Sequence, residues 1–145
     1  MADEQQQKDI QVVREFFDAW EAKDVERLLS YWADDAVFRI VFSRPPLDPE
    51  WDPPLTEGGD AIRAYWRKIM GIIDKADIKD MWIRAVVDEP GCVIATFRGE
   101  MRLTNGRAYK NDYINLFRVE NGKIKLFHEH YNPLVVLESF QELDG

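Results

Sequence analysis

Three turn dipeptides, Pro90-Gly91, Asn105-Gly106 and Asn121-Gly122, cut the second half of the chain into runs of strand length. Asn-Gly is the strongest short-range hairpin signal, because a two-residue hairpin turn needs positive φ at its central residues. The runs between the turns, 78–89, 92–104, 107–120 and 123–132, are rich in Ile, Val, Tyr and Phe. This succession predicts a four-stranded antiparallel meander. A meander buries one face and needs a cover.

The first half supplies that cover. Ile10, Val13, Phe16, Phe17 and Trp20 recur at helical spacing and predict an amphipathic helix over 8–22, with residues 1–7 expected to be disordered. Asp24 can cap a second helix whose apolar face is Val25, Leu28, Leu29 and Trp32, ending at Asp34-Asp35. Ala36 to Phe42 then reads as a strand. Residues 43–56 carry Pro45, Pro46, Pro49, Pro53 and Pro54, which forbid regular structure and predict a stiff loop. Trp51 within it suggests a flap packed on the fold; an irregular surface crossing is the alternative. Gly58-Gly59-Asp60 opens a third helix with the stripe Ile62, Tyr65, Trp66, Ile69, Met70 and Ile73. Residues 133–140 form a short terminal helix or tail. The expected fold is one α+β domain: a curved antiparallel or mixed sheet, packed by three N-terminal helices into a cone whose open end makes a small-molecule pocket.

Charge and composition narrow the function. A net charge of −8 argues against a nucleic-acid partner. The single cysteine, Cys92, excludes an internal disulfide and a Cys-based zinc site. The N-terminus has no apolar leader and no run is long enough to span a membrane, so a cytoplasmic protein is expected. No phosphate loop or nucleophile elbow is present, and no cofactor is expected.

The most informative stretch is Lys123 to Pro133, which holds both histidines, His128 and His130, with Glu129 between them and Phe127 and Tyr131 beside them. A carboxylate in an aromatic strand is exposed, paired or used. Arg98, Arg102 and Arg118 are the possible partners. The two histidines at i, i+2 lack a third ligand at recognisable spacing, so no metal site is expected. An interface or a pH-sensitive hydrogen bond is their alternative use.

Three words, W-A-D-D-A-V-F at 32–38, G-G-D-A-I-R-A-Y-W at 58–66 and N-G-K-I followed by E-H-Y-N-P at 121–133, resemble the nuclear transport factor 2-like superfamily in its SnoaL-like branch. The last word resembles the phenazine-biosynthesis A/B proteins. That resemblance implies a general-acid role for Glu129 and a pocket role for Tyr109. A family His falls at Tyr65 and a family Ser at Ile69, two departures that count against a phenazine-type substrate. The base and the two oxyanion donors of ketosteroid isomerase fall at Ile40, Phe16 and Asn115, so that machinery is absent. The Asp that many SnoaL-like enzymes carry on the last strand falls at Asn132, which cannot ionise. The resemblance also implies a homodimer through the outer face of the sheet.

Geometry and resemblance conflict over Glu129. Continued regularly from the Asn121-Gly122 turn, the ladder pairs His128 with Asn115, His130 with Tyr113 and Glu129 with Ile114. Tyr109, Asn111, Tyr113, Asn115, His128 and His130 then share one face and Glu129 takes the other. The resemblance puts Glu129 in the pocket with Tyr109, and a β-bulge near Phe127 would reconcile the two. With the bulge, Glu129 is the expected catalytic acid or base. Tyr65, Ile69, Tyr109, Tyr113, Asn115, His130 and Tyr131 are the expected ligand contacts. The expected function is acid/base catalysis on a small aromatic or polyketide-like molecule: cyclisation or condensation, isomerisation, or dehydration. A binding protein with the same pocket is the alternative.

Overall fold

The structure is a computed structural model and describes residues 2–43, 51 and 53–140. Its elements run α1 (Glu4–Glu21), α2 (Val25–Ser30), β1 (Trp32–Ile40), β2 (Leu55–Glu57), α3 (Gly59–Ile72), β3 (Ile73–Ala85), β4 (Cys92–Leu103), β5 (Ala108–Glu120), β6 (Lys123–His130) and α4 (Pro133–Phe140). One six-stranded sheet has the order β2-β1-β6-β5-β4-β3. The meander β3–β6 is antiparallel, as the turns predict, and β1 joins β6 in parallel. This is an α+β fold, with its helices packed on one face of a curved mixed sheet.

Several boundaries differ from those expected, each for a local reason. α1 starts four residues before residue 8, inside the stretch expected to be disordered. Asp3 accepts from the Gln6 N–H at 2.8 Å and Gln6 accepts from the Asp3 N–H at 3.0 Å, a capping box that satisfies two otherwise orphaned donors. Trp32 does not close the second helix. α2 ends at Ser30, and Trp32 opens β1, stacked 5.9 Å from Phe127. β3 begins at Ile73 rather than 78, because the residue that would extend the α3 stripe turns into the sheet opposite Leu103. Leu55–Glu57, expected to be loop, pairs with β1 as soon as the prolines end. The rest of the Pro-rich loop, 44–50 and 52, lies outside the described residues.

The helical stripes explain the cover. Val13, Phe16, Phe17 and Trp20 of α1 and Ile62, Trp66, Ile69 and Met70 of α3 are buried against the sheet. Phe16 meets Trp32, Trp66 and Phe127 edge-on at 5.7, 5.7 and 6.0 Å. Such pairs contribute roughly 0.5–1.5 kcal/mol each beyond the area they bury. Gly59 lets α3 start hard against β1: a Cβ there would sit 2.7 Å from the Ala33 carbonyl. The narrow end of the cone is therefore solid aromatic core, and a cavity can form only at the wide end.

Candidate active site

The position of Glu129 is decided by one extra residue in β6. Val119 pairs with Ile124, but Arg118 pairs with Leu126, so Lys125 has no partner in the β5–β6 ladder. This is a β-bulge, and it lies at Lys125 rather than near Phe127. The β1–β6 register shifts at the same place, between Trp32 and Val37. Lys125 uses its displacement to reach the Asp35 carboxylate on the β1 bulge. Past the bulge, Asn115 pairs with Glu129, Phe117 with Phe127 and Ile114 with His130.

The consequence is a swap of faces. Glu129 turns inward and is 4% exposed, on the same side as Tyr109, Asn111, Tyr113 and Asn115, all buried. His128 and His130 turn outward, which corrects two expectations: they do not share the face of the tyrosines, and His130 is not a cavity residue. The His130 Nδ1–H donates to the Ile114 carbonyl at 2.9 Å, and its ring packs edge-on to Phe42. The arginines considered as partners for Glu129 are engaged elsewhere: Arg98 with Glu100, Arg102 with Asp74 and Arg118 with Glu89.

Glu129, Tyr65, Ile69, Tyr109, Tyr113 and Tyr131 line one cavity at the wide end. Asn115 does not line it. It lies beside Glu129, fully buried, and neither its amide nitrogen nor its amide oxygen has a hydrogen-bond partner among the described residues. Trp20, Trp66, Ile73, Met101, Val136 and Phe140 complete the walls with Trp51. The cavity volume is ≈ 30 Å³, far below the roughly 300–1,000 Å³ of a typical small-molecule pocket. Its own aromatics fill the mouth: Phe140 of α4 meets Trp51 at 6.0 Å and Tyr109 at 5.2 Å. The Tyr65 hydroxyl donates to the Trp51 carbonyl at 2.8 Å, and the Lys68 ammonium sits 4.2 Å above the Trp51 ring. Trp51 is thus packed into the fold, as the flap reading expects.

The polar groups of the cavity form a chain along β5. The hydroxyls of Tyr109 and Tyr113 are hydrogen bonded at 2.9 Å. Asn111, between them in sequence, donates its amide to Tyr109 Oη at 3.1 Å and to the Asn132 carbonyl at 3.0 Å. Its Oδ1 accepts from the Asn132 and Asp112 N–H groups at 3.0 and 3.1 Å. Burial pushes the Tyr113 hydroxyl well above the ordinary range, reinforced by Tyr109 and by the Glu129 charge, so it stays protonated. Asn132 uses its side chain to accept from the Leu134 N–H and cap α4. Pro133 takes the first helical position, where its missing N–H costs nothing.

The sequence places Asn111 on one face with Tyr109 and Tyr113 but does not reveal its hydrogen bonds, and the closing role of α4 was missed. An Asn in mid-strand between two tyrosines was the available signal, since Asn is depleted in strands unless its amide is used. A larger open groove of ≈ 700 Å³ runs between α2, α3 and the β5–β6 turn. Most of its charges are paired, Arg63 with Asp34 and Asp60, Arg67 with Glu26, and Lys125 with Asp35. It holds no buried titratable group. Among the described residues, no group of three or more His, Cys, Asp or Glu side chains could hold a metal, and no helix is long and apolar enough to cross a membrane.

The fold has known counterparts. The profile of the SnoaL-like domain matches residues 13–127. YesE, an uncharacterized protein of Bacillus subtilis (strain 168), is 27% identical over 135 residues, covering 92% of this chain and 88% of YesE. The crystal structure of a candidate isomerase from Bacillus subtilis superposes with a TM-score of 0.82 at 25% identity, over 93% of this chain and 94% of that one. A phenazine biosynthesis-related protein of Pseudomonas aeruginosa superposes with a TM-score of 0.72 at 16% identity, over 97% and 88%. At that identity the last likeness concerns the fold alone.

Proposed function

The chain belongs to the SnoaL-like family, and from that premise we propose that its wide-end cavity is the active site of a small-molecule enzyme in which Glu129 is the acid/base. One observation carries the proposal: the Lys125 bulge delivers a carboxyl to a buried aromatic cavity that Tyr109 and Tyr113 also line. Burial of a carboxyl is costly, and a fold retains that cost where the group is used. The protonated acid can give its proton to a carbonyl oxygen or a leaving hydroxyl; the carboxylate can take one from carbon. The tyrosine hydroxyls can hold a developing oxyanion. The chemistry this supports is isomerisation, dehydration, or cyclisation and condensation of a small, largely apolar or aromatic molecule, in keeping with the candidate isomerase of the same fold.

The cavity volume favours a second reading. At ≈ 30 Å³ the closed form admits no such substrate, so Trp51 and Phe140 must yield on binding. A protein that sequesters a ligand without chemistry, or one that only fills its cone with its own aromatics, needs no such opening. Deuterium incorporation separates these. Cyclohexanone and cyclohex-2-enone in D₂O report proton abstraction at carbon by NMR without knowledge of the product. The enzyme reading expects exchange that falls about 10²- to 10⁴-fold in Glu129→Gln. Saturable binding of either probe with no exchange above the Glu129→Gln level leaves a binding protein.

The outer sheet face fits a second copy of the chain. Trp82 and Ile114 are 42% and 60% exposed there, with Phe42 at 54% beside His130. We propose a homodimer through this face in a cytoplasmic protein. Sedimentation equilibrium of Ile114→Lys tests it: the variant should run as a monomer where the parent runs as a dimer, and a monomeric parent ends the idea.

A further inference from the structure

We infer that α4 is a displaceable plug: it swings on Asn132, and the slot that its Phe140 ring fills is the subsite for an aromatic ring of the ligand. This rests on the reading of the wide-end cavity as a ligand site, and not on Glu129 acting in it.

Most of the described cavity wall is core. Trp20 and Trp66 belong to the buried stripes of α1 and α3, and Tyr109 and Tyr113 to β5 inside the sheet. Moving them would break the packing of the whole domain. Trp51 and α4 lie outside those layers. Trp51 is held from α3, where the Tyr65 hydroxyl donates to its carbonyl and Lys68 stands over its ring. It can yield by turning its ring while its backbone stays in place. α4 is different: eight residues make a helix too short to persist in water without its packing.

The two ends of α4 are held unequally. At the first end Asn111, itself buried, grips both backbone groups of Asn132, whose side chain caps the helix. At the far end the turn between β4 and β5 reaches over. Arg107 donates to the Glu138 carbonyl at 2.9 Å, and Asn105 to the Ser139 carbonyl at 3.4 Å. Those bonds lie at or near the surface, where water replaces a partner at little cost. The hinge is therefore at Asn132 and the latch at the β4–β5 turn. Phe140 rides on the latched end.

Phe140 also marks what takes its place. Its ring, 5% exposed, meets Tyr109 at 5.2 Å and 77° and Trp51 at 6.0 Å and 79°. Both are edge-to-face contacts, a geometry set by the ring quadrupole. An aromatic ring of the ligand that enters the slot remakes these contacts, so the exchange trades one ring for another. A saturated ring is thicker and has no such quadrupole.

The experiment places 4-fluorophenylalanine at position 140 and follows it by ¹⁹F NMR in the parent and in Arg107→Ala. Phenol is the probe, with cyclohexanol as its saturated counterpart. Phenol should convert the buried fluorine signal into a narrow, solvent-exposed one in step with binding. Arg107→Ala lies outside the cavity, yet it should tighten phenol binding about fivefold, because a looser latch raises the open fraction. Cyclohexanol should bind more weakly than phenol by a similar factor. Phenol bound with the buried signal unmoved overturns the plug and leaves the cavity as a ligand site. Equal phenol affinity in the two proteins overturns it too, and cyclohexanol binding as tightly as phenol overturns the ring subsite. No binding of either probe to either protein overturns the cavity reading and the plug with it.

Discussion

At the narrow end of the cone Phe117 on β5 and Phe127 on β6 lie opposite each other, 4.2 Å between ring centroids. Two residues along the same strands, on the same inner face, the facing pair is Asn115 and Glu129. Both pairs are buried and both strands continue unbroken, yet one place is filled with rings and the other with polar groups. The difference shows where the fold invests its stability and where it gives some up. The narrow end needs nothing but packing. The wide end holds a carboxyl and an amide that packing alone would replace with leucines.

The largest expected effect lies at the narrow end. Phe127→Ala removes a ring that touches Phe16, Trp32, Phe38, Trp66 and Phe117, and should cost about 3–5 kcal/mol in urea unfolding. At the mouth, Phe140→Ala should cost under about half of that, because among the described residues only Trp51 and Tyr109 lose ring contacts. It should also enlarge the cavity enough to bind an environment-sensitive aromatic dye. Equal costs at the two positions would break the comparison.

Glu129→Gln keeps the size of the buried side chain and should cost less in urea unfolding than either ring deletion. A loss as large as that of Phe127→Ala would mean that the carboxylate is structural.

The smallest effect is on the outer side of the same strand. Burial lowers the His128 proton affinity, helped by the nearby positive charges of Arg39 and His130. The unfolded histidine therefore binds its proton first as pH drops below about 6.5, and stability is lost from there downward to the folded value. His128→Gln should flatten the stability curve in that window while leaving the curve above pH 7 in place.

Much of the architecture was legible because it is written in local signals. Asn105-Gly106 and Asn121-Gly122 announce hairpins by their need for positive φ, and the φ values of Asn121, Gly122 and Gly106 are positive. The stripes of α1 and α3 announce which helix faces are buried. The site was harder, since no residue type marks a bulge. Lys125 looks like any alternating strand residue, and one uncounted position reverses every side chain after it. That single slip explains why His130 was expected inside, while Glu129 reached the inner face only through the family resemblance. Trp32 and Ile73 misled for a different reason: each sits where a helical stripe would continue, and periodicity cannot say where a helix stops. The closing of the cavity by α4 depends on contacts across the whole fold, which no local pattern carries.

The central claim is that Glu129 is a buried acid/base and not a solvated or structural carboxylate. The most direct measurement is a carbon-detected NMR titration of its carboxyl, with Glu129→Gln to assign the signal. The account predicts a midpoint well above the ordinary glutamate value of about 4.3, close enough to neutrality for proton transfer in either direction. A midpoint at or below that value would contradict it and leave the cavity as a binding site or as plain core.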